Sequence, residues 1–166
     1  MQSDTLAYGF AASQKILDRN LAGISHEESL VSTHDCANCI NWLAGHILAT
    51  RGRLATLIQA GEPLLSPGQA AAYARGSGPI RPGDPCVPLE KLIAALEGSG
   101  AELVERIKAM TDEDLETALD PSRFPIRPDT PTVGASIAFV LLHEGYHAGQ
   151  IGLASRLIGK PSGLGV

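Results

Sequence analysis

Four segments of this 166-residue chain repeat apolar residues at the spacing of an α-helix, and no segment alternates apolar and polar residues as a strand does. Each predicted helix has an apolar stripe along one face, and the four cover residues 3–20, 35–60, 88–110 and 131–158. Ser3 or Asp4 is the expected N-cap of the first helix. Four such helices bury their stripes against one another, so the sequence predicts an all-α fold, a four-helix bundle.

Segments rich in Pro and Gly separate these helices. The longest, residues 61–85, can recross a bundle, which permits the second and third helices to run parallel. Ser25 to Glu28 and Thr111 to Asp114 have the spacing of a capping box, which predicts a short extra helical turn at each place. Thr130 is the expected N-cap of the last helix, with Pro131 at its first position.

The composition excludes several classes of partner. The net charge is −5, aromatic residues make up 4%, and no run of Lys or Arg occurs, so neither a nucleic-acid groove nor a membrane-binding surface is predicted. The chain has no signal-peptide pattern and no apolar stretch long enough to span a bilayer. Its three cysteines, Cys36, Cys39 and Cys86, are too few for a disulfide framework. We expect one cytoplasmic domain over residues 1–166.

The stretch HEGYHAGQ, residues 143–150, holds the strongest chemical signal. His143 and His147 are four residues apart, which places both imidazoles on one helix face at a separation that suits a single metal ion. The same face carries Val140 and Ile151, so both histidines point where apolar neighbours point. Because a buried imidazole needs a partner for its polar nitrogens, a divalent metal is the favoured explanation over packing alone.

A good metal site needs a third ligand, and His46 is the best candidate. It lies near the middle of the second helix, at a depth in the bundle similar to that of His143. His34 precedes that helix, and we interpret His26, in the polar run SHEE, as a solvated surface residue. Zinc or nickel is the expected metal, with iron or manganese as alternatives.

The pattern H-E-x-x-H is also the signature of zinc peptidases. Those enzymes take their third ligand downstream, but no His, Asp, Glu or Cys follows His147 here, so the metallohydrolase interpretation is the weaker one. Glu144 is the candidate catalytic residue, as a base at the site edge or as a residue that orients His46. It can equally be a buried carboxylate or a salt-bridge partner in a dimer.

Other residues have both a structural and a functional interpretation. Cys36 and Cys39 form C-x-x-C, which we interpret as packing residues rather than a redox or zinc motif. Trp42 either packs in the core or stacks on a substrate. Trp42, Tyr146 and Gln150 are the candidate substrate-binding residues. Tyr73 could line the mouth of a pocket or be partly exposed, whereas the isolated arginines Arg51 and Arg75 are expected to be solvated.

Two motifs together resemble the DinB/YfiT-like superfamily of small helical proteins: NWLAGH, residues 41–46, and HEGYHAGQ. The stretches YARGSGP and TDEDL look similar to the family as well. The resemblance implies that His46, His143 and His147 bind one divalent metal in an up-down-down-up bundle that often forms a homodimer. Ala148 occupies the usual arginine position of the family motif, which is the one visible departure.

Two functions from different classes follow from this resemblance. In the first, the protein is a transferase that joins a low-molecular-weight thiol to a small electrophile, with the thiol held at an open position of the metal. In the second, it is a non-catalytic, metal-binding or stress-related dimer whose metal is structural. A closed fourth ligand favours the second interpretation, and an open position that faces a pocket favours the first.

Overall fold

The computed structural model describes residues 2–34, 37–120, 131–161, 163 and 165. Throughout these ranges the regular structure is helical, in the order α1 Gln2–Leu21, α2 His26–Ser29, α3 Ile40–Ile58, α4 Pro67–Ala72, α5 Leu89–Lys108, α6 Asp112–Glu116 and α7 Val133–Leu157. The prediction of an all-α fold is therefore confirmed. The only bridge between extended residues in the described part of the chain joins Ala118 to Thr132.

The four long helices pack as a bundle in which α1 and α3 each contact both α5 and α7. Their buried apolar side chains form two clusters. One cluster joins the end of α1 and the beginning of α3 to the beginning of α5 and the end of α7. The other joins the beginning of α1 and the end of α3 to the end of α5 and the beginning of α7. The two clusters occupy opposite ends of the bundle.

Several helix boundaries differ from the prediction. The helix α1 begins before Ser3 and Asp4, so neither residue is its N-cap. Cys39 is the N-cap of α3, four residues after the predicted start at residue 35, which lies outside the described residues. Thr132 caps α7 by accepting a hydrogen bond from the amide of Ala135, so Pro131 precedes the helix; the predicted cap, Thr130, lies outside the described residues.

The two predicted capping boxes are present. Ser25 and Glu28 open α2, and Thr111 and Asp114 open α6. Sequence reasoning missed a helix within residues 61–85, where Ser66 and Gln69 form a third capping box at the start of α4. No helix in the described ranges has the length and apolar character that crossing a bilayer requires.

The segment after α4 packs directly on α3. Tyr73 is fully buried, so the prediction that it lines a pocket mouth or is partly exposed is wrong. Its hydroxyl donates to Oδ1 of Asn41 at 3.0 Å and accepts from the amide of Val87 at 2.9 Å. The ring lies against Gly45, where any Cβ would overlap it. Because α3 carries a glycine there, this segment can approach the helix closely enough to reach His46.

Candidate metal centre

Three imidazoles meet inside the bundle, one from α3 and two from α7. Nε2 of His143 lies 3.1 Å from Nε2 of His46 and 3.1 Å from Nε2 of His147. The ligand atoms of the three residues all lie within 4.8 Å of one another. The structure thus brings together the three histidines that the sequence predicted as metal ligands.

These separations fit coordination of one ion. At a metal–nitrogen distance of about 2.0–2.1 Å, two ligand nitrogens lie about 2.9 Å apart for an angle of about 90° and about 3.3 Å apart for a tetrahedral angle. The two observed nitrogen–nitrogen distances lie within this range. Two of the three nitrogen–nitrogen separations therefore match those of ligands on one ion, and the ligand atoms of all three residues lie within 4.8 Å of one another.

Hydrogen bonds at the far side of two rings fix which nitrogen faces the cluster. Nδ1 of His46 donates to the backbone carbonyl of Tyr73 at 2.6 Å. Nδ1 of His147 donates to the side-chain oxygen of Gln150 at 2.7 Å. Because a carbonyl oxygen only accepts, each Nδ1 carries the hydrogen, and each neutral ring presents the lone pair of Nε2 to the centre. This is the arrangement in which metal-binding histidines are commonly held.

Burial disfavours the protonated form of all three rings. Burial lowers the pKa of His143 to about 4, with smaller contributions from His147 and His46. Burial likewise lowers the pKa values of His46 and His147. Nε2 of His143 faces the lone pairs of two neighbours, those on Nε2 of His46 and of His147, and it can carry at most one hydrogen. One hydrogen cannot satisfy both neighbours fully, whereas a cation at the centre satisfies all three.

Aromatic side chains flank the histidines. Trp42 stacks on His46 with ring centroids 4.6 Å apart and planes 13° from parallel. Its Nε1 donates to Oγ of Ser77, which donates in turn to the carbonyl of Ala72. The rings of Tyr146 and His147 lie with their planes at 75° and their centroids 5.2 Å apart, and Tyr146 remains largely exposed. The histidines therefore lie between a buried indole and an accessible phenol.

Glu144 follows His143 directly but lies in a different environment. It is buried, and its two carboxylate oxygens accept hydrogen bonds from Nε and Nη2 of Arg51, each at 2.7 Å. It does not line the cavity beside the histidines. The geometry favours the interpretation of Glu144 as a buried carboxylate over that of a catalytic base.

Arg51 is the main residue that sequence reasoning misjudged. It is fully buried, so the expectation that it is solvated is wrong. Besides Glu144, its guanidinium contacts the side-chain oxygen of Gln14 and the carbonyl of Leu96. It joins α1, α3, α5 and α7 at one point. Its partners lie far away in the sequence, and only the acid–base complementarity with Glu144 could have indicated the pair.

A cavity of about 1080 Å³ opens beside the histidines. The candidate substrate-binding residues Trp42, Tyr146 and Gln150 all line it, together with His46, His143 and His147. Arg75 lines it as well and is exposed, as expected. Arg53, which the sequence did not single out, is a further lining residue. The arrangement places a three-nitrogen centre in the wall of a space that is large enough for a small molecule.

Cys39, Cys86 and the remaining histidines, His26 and His34, lie outside this cavity. Cys39 is buried at the start of α3, as expected of a packing residue, and burial raises the pKa of its thiol. Its proposed partner in C-x-x-C, Cys36, lies outside the described residues. His34 is exposed. His26 is partly buried rather than solvated, and its Nδ1 accepts from the amide of Leu89 at the start of α5.

Three comparisons relate the chain to known proteins: one with curated proteins, one with solved structures and one with family models. No curated protein matches the chain. The chain is similar to a solved structure described as the conserved protein of locus from Enterococcus faecalis, at 15% identity and a TM-score of 0.70 over 93% of this chain and 95% of that one. At this identity the similarity concerns the fold alone. The family model for the DinB superfamily matches residues 10–151, which include all three histidines of the centre. The chain therefore belongs to the DinB superfamily.

Proposed function

We propose that this protein binds one divalent metal ion through Nε2 of His46, His143 and His147. The observation that carries the proposal is the convergence of three imidazole nitrogens, two of which are fixed as lone-pair donors by the Tyr73 carbonyl and the Gln150 side chain. Imidazole ligands suit zinc and nickel best, with iron or manganese as alternatives. Membership of the superfamily supports the same assignment.

We further propose that the site acts on small molecules, as a thiol-dependent transferase. Among the described residues, the group that could hold a metal contains three ligands and no fourth histidine or cysteine. A bound metal with an open position lowers the pKa of a coordinated thiol and so supplies a nucleophile. The chain's own part is to bind and orient: Trp42 and Tyr146 line the cavity, and Gln150 accepts a hydrogen bond from His147. Glu144 is assigned a structural role, which counts against the metallohydrolase alternative.

A non-catalytic, metal-binding homodimer is the second candidate function, and the outer face of α7 favours it. Leu142, Tyr146, Leu153 and Leu157 are each more than half exposed there. A row of large exposed apolar side chains on one helix is typical of an interface. Because Tyr146 belongs both to this face and to the cavity wall, a dimer would also narrow access to the histidines. The two candidates share the metal site and differ in whether the cavity binds a substrate.

We also propose that residues 1–166 form one domain with the four long helices in the order up-down-down-up. The division of the core supports this order, because the beginnings of α1 and α7 lie in the same cluster as the ends of α3 and α5. The other cluster holds the ends of α1 and α7 together with the beginnings of α3 and α5. A cytoplasmic location agrees with the free thiols of Cys39 and Cys86.

Metal analysis of purified variants tests the proposed site. The wild type is expected to hold one zinc or nickel ion per chain, and the single variants His46→Ala, His143→Ala and His147→Ala to lose it. His34→Ala, which removes an exposed histidine outside the cavity, is the matched control and should keep full stoichiometry. Unchanged metal content in all three site variants would refute the assignment.

A thermal-shift screen separates the two functions. Cysteine, glutathione and coenzyme A are added to the metal-loaded and the metal-free protein. A transferase of the proposed kind is stabilised by at least one thiol only when the metal is present, since the thiol binds at the open position. A dimer with a structural metal shows no such shift and changes its molecular mass when Tyr146 and Leu153 are replaced by Ser.

A further inference from the structure

The charged side chains that line the cavity beside the histidines, among the residues that the structure describes, are all positive. Arg53 and Arg75 line it, and its lining includes no Asp or Glu among the residues that the structure describes. The chain as a whole carries a net charge of −5. Positive charge is therefore collected in one concave region of an acidic protein, where the surrounding walls focus its field.

Arg53 is held close to the metal centre. It lies two helical turns after His46 on α3, and its Nη2 donates to Oγ1 of Thr50 at 2.9 Å. Oγ1 of Thr50 donates in turn to the carbonyl of His46 at 2.9 Å. A guanidinium has five N–H groups, and no carboxylate in the described ranges pairs with Arg53. Most of its donors thus remain available to a ligand.

Apolar side chains also line the cavity. Leu57 follows Arg53 by one helical turn, and Phe139 and Val140 approach from α7. Phe139 also lies 6.3 Å from the ring of His143, which connects this apolar wall to the metal centre. A ligand that reached from the histidines to Arg53 would cover hydrocarbon along its length. The wall therefore suits a body that is apolar between its charged group and the metal.

We propose that this cavity binds a small organic anion whose oxyanion group pairs with Arg53, with Arg75 as the second cation, and whose apolar body lies along Leu57, Phe139 and Val140. The assignment rests on the proposed function for the role of the cavity and specifies its ligand class: an organic acid with an aromatic or aliphatic body. A volume of about 1080 Å³ accommodates such a ligand together with a second small molecule.

Calorimetric titration of the zinc-loaded protein tests this proposal with benzoate, its neutral isostere benzamide, and acetate, which lacks the apolar body. We expect benzoate to bind at least tenfold more tightly than either of the others. Arg53→Gln should weaken benzoate binding by about tenfold or more, since a hydrogen bond to a charged group is lost. Arg81→Gln changes the net charge equally, but Arg81 lies outside the cavity lining, so benzoate affinity should stay unchanged.

Three outcomes would overturn the proposal: no binding of benzoate, equal binding of benzamide, or unchanged benzoate affinity in the double variant Arg53→Gln/Arg75→Gln. The zinc content of each variant and a repeat titration of the zinc-free protein separate this proposal from the metal assignment. A wild-type chain that held no zinc but bound benzoate through Arg53 would refute the metal site and support the anion site.

Discussion

Arg51 and Glu144 form a buried two-point contact between α3 and α7, with Nε and Nη2 of the arginine each 2.7 Å from a carboxylate oxygen. Glu144 directly follows His143 in α7, and Arg51 lies five residues after His46 in α3, about one and a half helical turns. The contact therefore fixes the register of the two helices that carry the three histidines. Both side chains are almost completely buried, so water could not hydrogen-bond to one of them if the other were removed.

Removing one member of this pair should be costly. Arg51→Met leaves an unpaired carboxylate in the core, and we expect a loss of about 3–5 kcal/mol in the free energy of unfolding. The double variant Arg51→Met/Glu144→Met should recover most of that loss, since it leaves no buried charge. Urea unfolding followed by circular dichroism measures both. A loss below about 1 kcal/mol in Arg51→Met would show that the pair contributes little.

Gln150 should act on metal affinity rather than on folding. Gln150→Leu removes the acceptor that orients His147, and we expect metal affinity to fall about 10–100-fold. Gln150→Glu keeps an acceptor oxygen and should retain most of the affinity. Competition with a zinc chelator measures both variants, and urea unfolding of the zinc-free proteins provides the control. If the Leu and Glu variants bound zinc equally well, the hydrogen bond would have no orienting role.

Gly45 should be intolerant of a side chain. In Gly45→Ala the new methyl group overlaps the ring of Tyr73, so the segment that carries the carbonyl partner of His46 must move. We expect lower stability by about 1–3 kcal/mol together with weaker metal binding. Gly98→Ala is the matched control, because open space surrounds that helical position, and it should stabilise the protein by about 0.5–1 kcal/mol. Similar effects of the two substitutions would contradict the close packing.

The single tryptophan should report metal binding directly. Trp42 stacks on His46 at 4.6 Å between ring centroids, so an ion held by His46 lies close to the indole. Nickel, whose open d shell accepts excitation energy, should quench the emission, whereas zinc should change it little. Titration of the metal-free protein with each ion measures the effect. His143→Ala should abolish the nickel response, and a response that survived in this variant would place the ion elsewhere.

Tyr73 should make the protein sensitive to alkali. Burial raises its pKa to about 12 from an ordinary value of 10, so the unfolded chain loses this proton first as the pH rises. The associated stability is complete below about pH 10 and is lost between about pH 10 and 12, amounting to about 2–3 kcal/mol. Urea unfolding across this range measures the decline. Tyr73→Phe should be less stable at neutral pH but should lack this part of the decline.

The sequence predicted those features that repeat locally. The stripe that Val140, His143 and His147 share with Ile151 placed both histidines inward, and the position of His46 near the middle of the second helix indicated it as the third candidate ligand. Long-range partners could not be predicted in this way: Arg51 looked solvated because Glu144 lies 93 positions away, and Tyr73 looked exposed because its loop gives no periodicity. The start of α3 was misplaced because the residues before Cys39 are compatible with a helix by composition alone.

The carbonyl of Tyr73 belongs to the long connection between α3 and α5, yet it determines how the ring of His46 on α3 faces the other two histidines. Trp42 is tied to the same stretch through Ser77. This connection therefore helps to position the side chains of the candidate site and does more than link two helices. If this connection were exchanged between related proteins, the basicity and orientation of the His46 imidazole would change with it. Two chains with identical histidines would then differ in metal preference because of residues that do not contact the ion.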